Sequence, residues 1–370
     1  MKILINAVSA RAGGGVAYLV KLLEILPEMA PEIDFLAAVP DISFLRGLKP
    51  RENFEIQVIS EASADFYSRY FWENTGLIKL CHKWGADVLF CVANVSPIID
   101  PGIPVVLMIQ NVAPLTLRAI KMYRRFESVS QVFRMLLIRW LTMLSLARAG
   151  RVIALSKATA RLIKSLNPMI ESEVLYHGIS ENFNPAAGRP SNAGIDPYFI
   201  YVSNLYVYKG LEYIVEALEC DSTLPRVIIV GRDYDYNYVA YVKKLAEKAG
   251  VGRRLIFIGP VPREELPGWY ANAVAMVYTS WCENCPNILL ESMACGCPVV
   301  AMQIGPMPEI CGDTGFYAIP FSGKSLAVAM KQASAASSAH RALAIAKAGE
   351  FTWEKAMNRH LEIFRGLGKF

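Results

Sequence analysis

Both halves of this 370-residue chain repeat one rhythm, in which short runs apolar on both faces alternate with stretches of helical period. A strand apolar on both faces is covered on both sides, and that burial belongs to parallel sheets whose crossover helices lie on either face. In the first half the expected strands are 2–8, 35–39, 54–59, 87–92, 105–109, 152–155 and 173–176, with helices at 16–26, 68–83, 117–147 and 157–165. In the second half the strands are 199–202, 227–230, 255–258, 275–278, 299–301 and 316–319. The helices there are 210–217, 237–249, 263–271, 287–295 and 323–336. Two such alternations predict an α/β chain of two doubly wound domains. The break falls in residues 185–194, rich in Pro, Gly and Asn and without an apolar period, so the expected domains are 1–184 and 195–350. A cleft between two such domains is a natural ligand site.

Composition narrows the class. Mean hydropathy is high at +0.29, yet no uninterrupted apolar run is as long as a membrane span. The richest, 133–147, is broken by Arg134 and Arg139. The chain opens directly on Lys2-Ile3-Leu4-Ile5 with no leader-like segment before it, so a cytoplasmic location is expected. Eight scattered cysteines are then expected as free thiols. Cys282-x-x-Cys285 followed by Cys295-x-Cys297 has a zinc-like look, but Cys295 and Cys297 flank Gly296 at a helix end, so no metal is expected. The net charge of +5 is uneven: residues 101–170 hold eleven basic residues against one acid, Glu127. Such a stretch calls for an anionic partner.

The residues with most to say are Glu283 and Glu291, separated by seven residues, the first in a loop after a strand and the second in a helix among Leu289, Leu290 and Met293. Both are expected at the carboxyl end of a strand, where open α/β sheets bind ligands. Two carboxylates there accept hydrogen bonds from sugar hydroxyls. Gly13-Gly14-Gly15 joins the first strand to the first helix, which suits either close backbone approach to an anion or a tight turn. The spacing of a dinucleotide fingerprint is missing, against a nicotinamide enzyme. Lys209 precedes a helix, where a cation opposes the dipole and points to a missing anion. Gly231 and Gly259 each end a strand, as turn glycines or as points of approach to a nucleotide.

Taken together, these residues resemble the family 4 glycosyltransferases of the GT-B fold, the large retaining nucleotide-sugar family. The resemblance rests on Glu283-x7-Glu291 with Ser292-Met293-Ala294-Cys295-Gly296-Cys297-Pro298-Val299-Val300, on Lys209-Gly210, on Phe257-Ile258-Gly259-Pro260-Val261, and on Gly305-Pro306-Met307-Pro308-Glu309-Ile310. Phe351-Thr352-Trp353-Glu354 is similar to the start of the family's last helix, which implies that 351–370 crosses back to the first domain. The resemblance implies two Rossmann-like domains facing each other across a cleft. It gives Glu291 the donor ribose, Glu283 the donor sugar and Lys209 the diphosphate, with Glu283 and Lys209 as the catalytic pair. Val261 would hold the base, the amides near Pro286, Asn287 and Ile288 sugar hydroxyls or phosphate, and Gly14 and Gly15 would face the diphosphate. Two positions depart from the family. Asn204 stands where an arginine is usual, so either the leaving group has less charge compensation or another cation, such as Arg232, replaces it, and Gln110-Asn111 stand where a histidine is usual, so no protein base is assigned.

The implied reaction moves a hexose-type sugar from a nucleoside diphosphate to a glycan or lipid-linked glycan, with no cofactor and no metal, in bacterial surface polysaccharide synthesis. Arg118, Lys121 and Arg125 share a helix face. With Gln110 and Asn111 they form the expected acceptor side, and an anionic membrane surface is a further partner. A nucleotide-sugar epimerase would need no acceptor. A periplasmic binding protein would carry an export signal. A nucleic-acid-binding protein would use the basic stretch but leaves both glutamates unexplained, so no nucleic acid is expected.

Overall fold

The computed structural model describes residues 1–10, 14–45, 47–62, 65–190, 193–194 and 196–367; Gly13 and part of the expected linker, Ser191 and Asn192, lie outside them. The chain divides into two compact units, one of 1–112, 135–177 and 353–370, the other of 113–134 and 178–352.

The first unit is built on a seven-stranded parallel sheet of β1 (Lys2–Asn6), β2 (Asp34–Val39), β3 (Phe54–Val58), β4 (Val88–Cys91), β5 (Val105–Ile109), β6 (Arg151–Ala154) and β7 (Glu173–Val174). Their order across the sheet is β3-β2-β1-β4-β5-β6-β7. The second unit holds β8 (Tyr198–Val202), β9 (Arg226–Val230), β10 (Leu255–Gly259), β11 (Met276–Tyr278), β12 (Val299–Met302) and β13 (Gly315–Ala318), in the order β10-β9-β8-β11-β12-β13. Central strands β4, β5, β8 and β11 are buried along their whole length, as double-sided cover requires. In each sheet the chain winds outward in one direction, returns to the middle and winds out in the other. The reversals fall between β1 and β4 and between β8 and β11, and crevices open at the carboxyl ends of strands at such points.

Three expectations about elements need correcting. The helix expected over 117–147 is two helices, Leu117–Phe126 and Val129–Arg148. Glu127 is extended (φ −117°, ψ 170°), and the Ser128 hydroxyl accepts from the Gln131 amide, so a cap restarts the helix. The helix expected over 68–83 is likewise two, Phe66–Asn74 and Gly76–Trp84, parted at Thr75. Helix Ser338–Ala348, capped by Ser337, is one that the periodicity did not suggest.

The division between units also differs from the expected linker: it falls at residue 177, and residues 113–134 join the second unit. Helix Trp353–Arg365 belongs to the first unit. Its His360 is fully buried, and the ring Nδ1 donates to the Ala356 carbonyl (2.8 Å). The proton of the neutral ring therefore sits on Nδ1, and Nε2 accepts from the Tyr18 hydroxyl (2.6 Å). Burial lowers the His360 pKa to about 4.

Candidate active site

The reversal between β8 and β11 brings the two loops with the most chemistry together. Lys209 ends the 3-10 turn Val207–Lys209 after β8, and Glu283 lies in the loop after β11. Lys209 Nζ donates to Glu283 Oε1 at 2.5 Å, and the two side chains are 8% and 14% exposed. The same oxygen also accepts from the Tyr278 hydroxyl (2.6 Å) and the Ser280 hydroxyl (2.5 Å). Three donors thus converge on Oε1, which leaves Oε2 as the acceptor toward other groups. Lys209 also reaches the Tyr278 oxygen at 3.3 Å. The expectation that Lys209 lacks an anion is thus corrected: its counter-charge is inside the unit.

The turn that carries Lys209 is itself held. Asp235 Oδ2 accepts from the Val207 amide (2.6 Å), and the Lys209 carbonyl accepts from the Thr279 hydroxyl (2.8 Å). Burial raises the Asp235 pKa to about 6. Gly210 follows in left-handed conformation (φ 67°), and a Cβ there would stand 2.6 Å from the Thr279 carbonyl oxygen. The strand-end loops therefore meet through main chain, and only glycine lets them close.

Glu291 is the fifth residue of helix Asn287–Ala294, one turn in from the helix start. It is 3% exposed. Arg263, in the turn after β10, donates to Oε1, while Oε2 is buried and has no partner among the described residues. Burial raises the Glu291 pKa and Arg263 opposes the rise. An unpartnered buried carboxylate oxygen costs about 1–3 kcal/mol, a cost that a ligand hydroxyl would remove.

The other expected donor residues surround this point. Pro286 is the N-cap of the Glu291 helix and, among the described residues, no side chain caps that end, so the amides near Asn287 and Ile288 head a helix with its partial positive charge. Val261 is half-buried just before Arg263. The Arg232 carbonyl accepts from the Leu205 amide (2.9 Å), which places the exposed Arg232 beside the Asn204 turn. Gly231 (φ 148°) has its own explanation, since a Cβ would fall 1.7 Å from the Ser203 carbonyl oxygen. Sequence reasoning missed Arg263, Tyr278, Ser280 and Asp235. Arg263, two residues after Val261, and Ser280, three before Glu283, lay near motifs already singled out.

In the first unit, Gly14 and Gly15 open helix Gly14–Met29 after β1. Among the described residues a Cβ at either meets no atom within 4 Å, so packing against them does not demand glycine there. Gln110 and Asn111 follow β5. Asn94 Oδ1 accepts both their amides (3.0 and 2.9 Å), and its Nδ2 donates to the Asn111 carbonyl (2.6 Å).

The residues of the expected acceptor side are divided between the two units. Arg118, Lys121 and Arg125 ride on helix Leu117–Phe126 in the second unit, whereas Gln110 and Asn111 belong to the first. Aromatic rings account for this. The Arg118 guanidinium lies 3.4 Å from the Phe321 ring centre and 5.3 Å from that of Trp281. Arg125 lies over Tyr241, and Phe126 packs on Tyr238 and Tyr241. Each cation–π contact favours this docking by about 0.5–2 kcal/mol. Lys121 is exposed.

Among the described residues no three metal-ligating groups converge. Cys282, Cys295 and Cys297 are buried, and burial pushes their thiols up to about 12, 12 and 11.

Residues 189–351 match the family model described as glycosyl transferases group 1, and residues 12–183 match that of Glycosyltransferase Family 4. The O-antigen chain mannosyltransferase B of Escherichia coli is 26% identical over 179 residues, 46% of each chain. The D-inositol 3-phosphate glycosyltransferase 1 of Catenulispora acidiphila is 25% identical over 237 residues, 59% of this chain and 54% of its own. The chain thus spans about half the length of the curated relatives it matches. Among solved structures, Anabaena HepE in complex with UDP-glucose superposes with a TM-score of 0.75 at 18% identity, over 99% of this chain and 100% of that one. This agreement covers the fold of two Rossmann-like domains.

Proposed function

The chain belongs to the family 4 (group 1) glycosyltransferases, and from that premise we propose that it moves a hexose-type sugar from a nucleoside-diphosphate donor to a hydroxyl of a lipid-linked glycan, with retention at the anomeric carbon. The setting proposed is polysaccharide assembly on the cytoplasmic side of a membrane. The observation that carries the reading is Glu291 Oε2, a buried carboxylate oxygen without a partner, on the same sheet end as the Lys209–Glu283 pair. A ribose hydroxyl donating to Oε2 satisfies the orphan, and a sugar hydroxyl takes the open oxygen of Glu283. The UDP-glucose bound by HepE and the O-antigen role of the mannosyltransferase support the donor class and the setting.

In this reading the bond from the anomeric carbon to the diphosphate oxygen breaks and a bond to the acceptor oxygen forms on the same face. The acceptor proton passes to the leaving phosphate, so no protein nucleophile or base is used. Negative charge grows on the diphosphate. Lys209 and the amides heading helix Asn287–Ala294 oppose it, and one such group is typically worth about 3 kcal/mol. Because Lys209 is already paired, part of its charge is spent on Glu283. Tyr278 and Ser280 hold that carboxylate, which lets Lys209 lean toward the diphosphate without stranding a buried anion.

The test is a thermal-shift screen with UDP, GDP, ADP and dTDP sugars, since a ligand at 100 times its Kd raises stability by about 2.7 kcal/mol. A shift with one of these bases, lost in Glu291→Ala, is expected; no shift with any would refute the reading. NMR of the product made from the active donor then reads the anomeric configuration.

A further inference from the structure

The two oxygens of the Glu291 carboxylate have unequal surroundings. Oε1 accepts from the Arg263 guanidinium, whereas Oε2 is buried and has no partner among the described residues. The guanidinium is held from a second side, since its carbon lies 5.3 Å from the Phe183 ring centre. Phe183 is itself buried and packs on Tyr270. The main chain is fixed as well. Arg263 opens a 3-10 turn after Pro262, and its carbonyl accepts from the amide of Leu266, the first residue of helix Leu266–Ala271. All of these residues belong to the second unit.

A carboxylate with both oxygens open can accept from two neighbouring hydroxyls of a ribose, one on each oxygen. Here the guanidinium takes the first oxygen in a charge-assisted contact, stronger than a hydroxyl offers. One oxygen is left. We propose that Arg263 is a positioning residue that makes Glu291 an acceptor for one ribose hydroxyl and not for the adjacent pair. This rests on the donor reading and deepens it: the hydroxyl that meets Oε2 is recognised, and its neighbour is not. Donors that differ only at that neighbour, a ribonucleotide and one of its deoxy forms, are then equivalent to this site.

The charges around the carboxylate fit that role. Burial raises the Glu291 pKa, and Arg263 opposes the rise. Tyr270, on the helix packed beside it, and Cys295, at the end of its own helix, are kept protonated by burial. Arg341, on helix Ser338–Ala348, donates to the Gly296 and Val274 carbonyls (3.0 and 3.2 Å). Glu264 and Glu265, in the turn that Arg263 opens, are exposed, and Glu309 is on helix Met307–Cys311. Arg263 is thus the cation that favours the ionised carboxylate, and in that form Glu291 accepts from a hydroxyl and donates to none.

The test is calorimetric titration of the full chain with the UDP, GDP or ADP sugar that thermal shift selects, and with its 2′-deoxyribose and 3′-deoxyribose forms. A dTDP sugar is compared with its ribo and 3′-deoxy forms in the same way. One deoxy form is expected to bind within about 2-fold of the ribo form, and the other about 10-fold or more weaker. Loss of affinity in both overturns the proposal and leaves the donor reading standing. Loss in neither, or no binding of any sugar nucleotide, overturns both. Arg263→Met opens Oε1. At pH 8 both deoxy forms should then bind this variant about 10-fold weaker than the ribo form does. Its affinity for the ribo form should also fall as pH is lowered from 8 to 6, because burial is no longer opposed, while that of the unaltered protein stays level. A variant that keeps both the one-hydroxyl preference and the level profile overturns the proposal.

Discussion

Lys209 and Glu283, seventy-four residues apart in the chain, form one nearly buried ion pair of 2.5 Å, and the Tyr278 hydroxyl touches both members. Removing one partner of such a pair leaves a charge with little water to answer it, which typically costs about 3–5 kcal/mol.

Lys209→Ala is therefore expected to lose both stability and activity, with turnover down about 100-fold or more. Lys209→Met with Glu283→Gln should recover most of the stability and none of the turnover. Urea denaturation beside a transfer assay separates the two effects, and a double variant as unstable as Lys209→Ala would show that the pair is not the cause.

Glu291 is expected to trade stability for binding. With Oε2 unpartnered, Glu291→Leu should keep or raise the thermal midpoint while weakening nucleotide affinity about 10-fold or more, the scale of a hydrogen bond to a charged group. Calorimetric titration with the nucleotide found by thermal shift measures it. Arg263 is half-exposed, so water takes over its charge in the variant.

Two buried groups of the first unit set opposite pH limits. The His360 pKa is depressed from 6.5 to about 4, so its stabilising share is present above pH 6.5 and is lost as pH falls toward 4. The whole share is on the order of 3 kcal/mol. Burial raises the Glu73 pKa from 4.5 to about 7, against the hydrogen bond from Asn6 Nδ2. Its share is present below pH 4.5 and is lost as pH rises through 7. Denaturant midpoints from pH 4 to 9 should fall at both ends for these two groups, and Glu73→Gln should flatten the alkaline fall while leaving the acid one.

Thiol reactivity should be narrow. Cys220 is exposed and Cys285 half-buried, whereas the other six cysteines are buried. At pH 8 a disulfide reagent is expected to label Cys220 fast, Cys285 more slowly, and the rest only on unfolding. Labelling unchanged by zinc is also expected; protection of Cys282 and Cys285 by the metal would contradict the geometry.

The fold was legible where the physics is local. Strands such as Val105–Ile109 and Tyr198–Val202 announce double-sided burial by composition alone. The boundaries at Thr75 and Glu127 were not legible, because a cap such as Ser128 competes with an otherwise unbroken helical period. In the site, Glu283, Glu291 and Lys209 could be picked from motifs, but not that two of them neutralise each other. That contact exists only after β8 and β11 become neighbours. Nor could the rings of Phe321 and Tyr241, far along the chain, be seen to draw Arg118 and Arg125 into the second unit.

The borrowed segment 113–134 and the returning helix Trp353–Arg365 mean that the chain passes between its two units four times. A chimera made with one crossover at residue 177 would leave the incoming second unit without the helix that carries Arg118, and the first unit without its His360 anchor. Exchanging a whole unit between relatives therefore calls for mosaics that carry residues 113–134 together with 178–352, two cuts more than the order of the chain suggests.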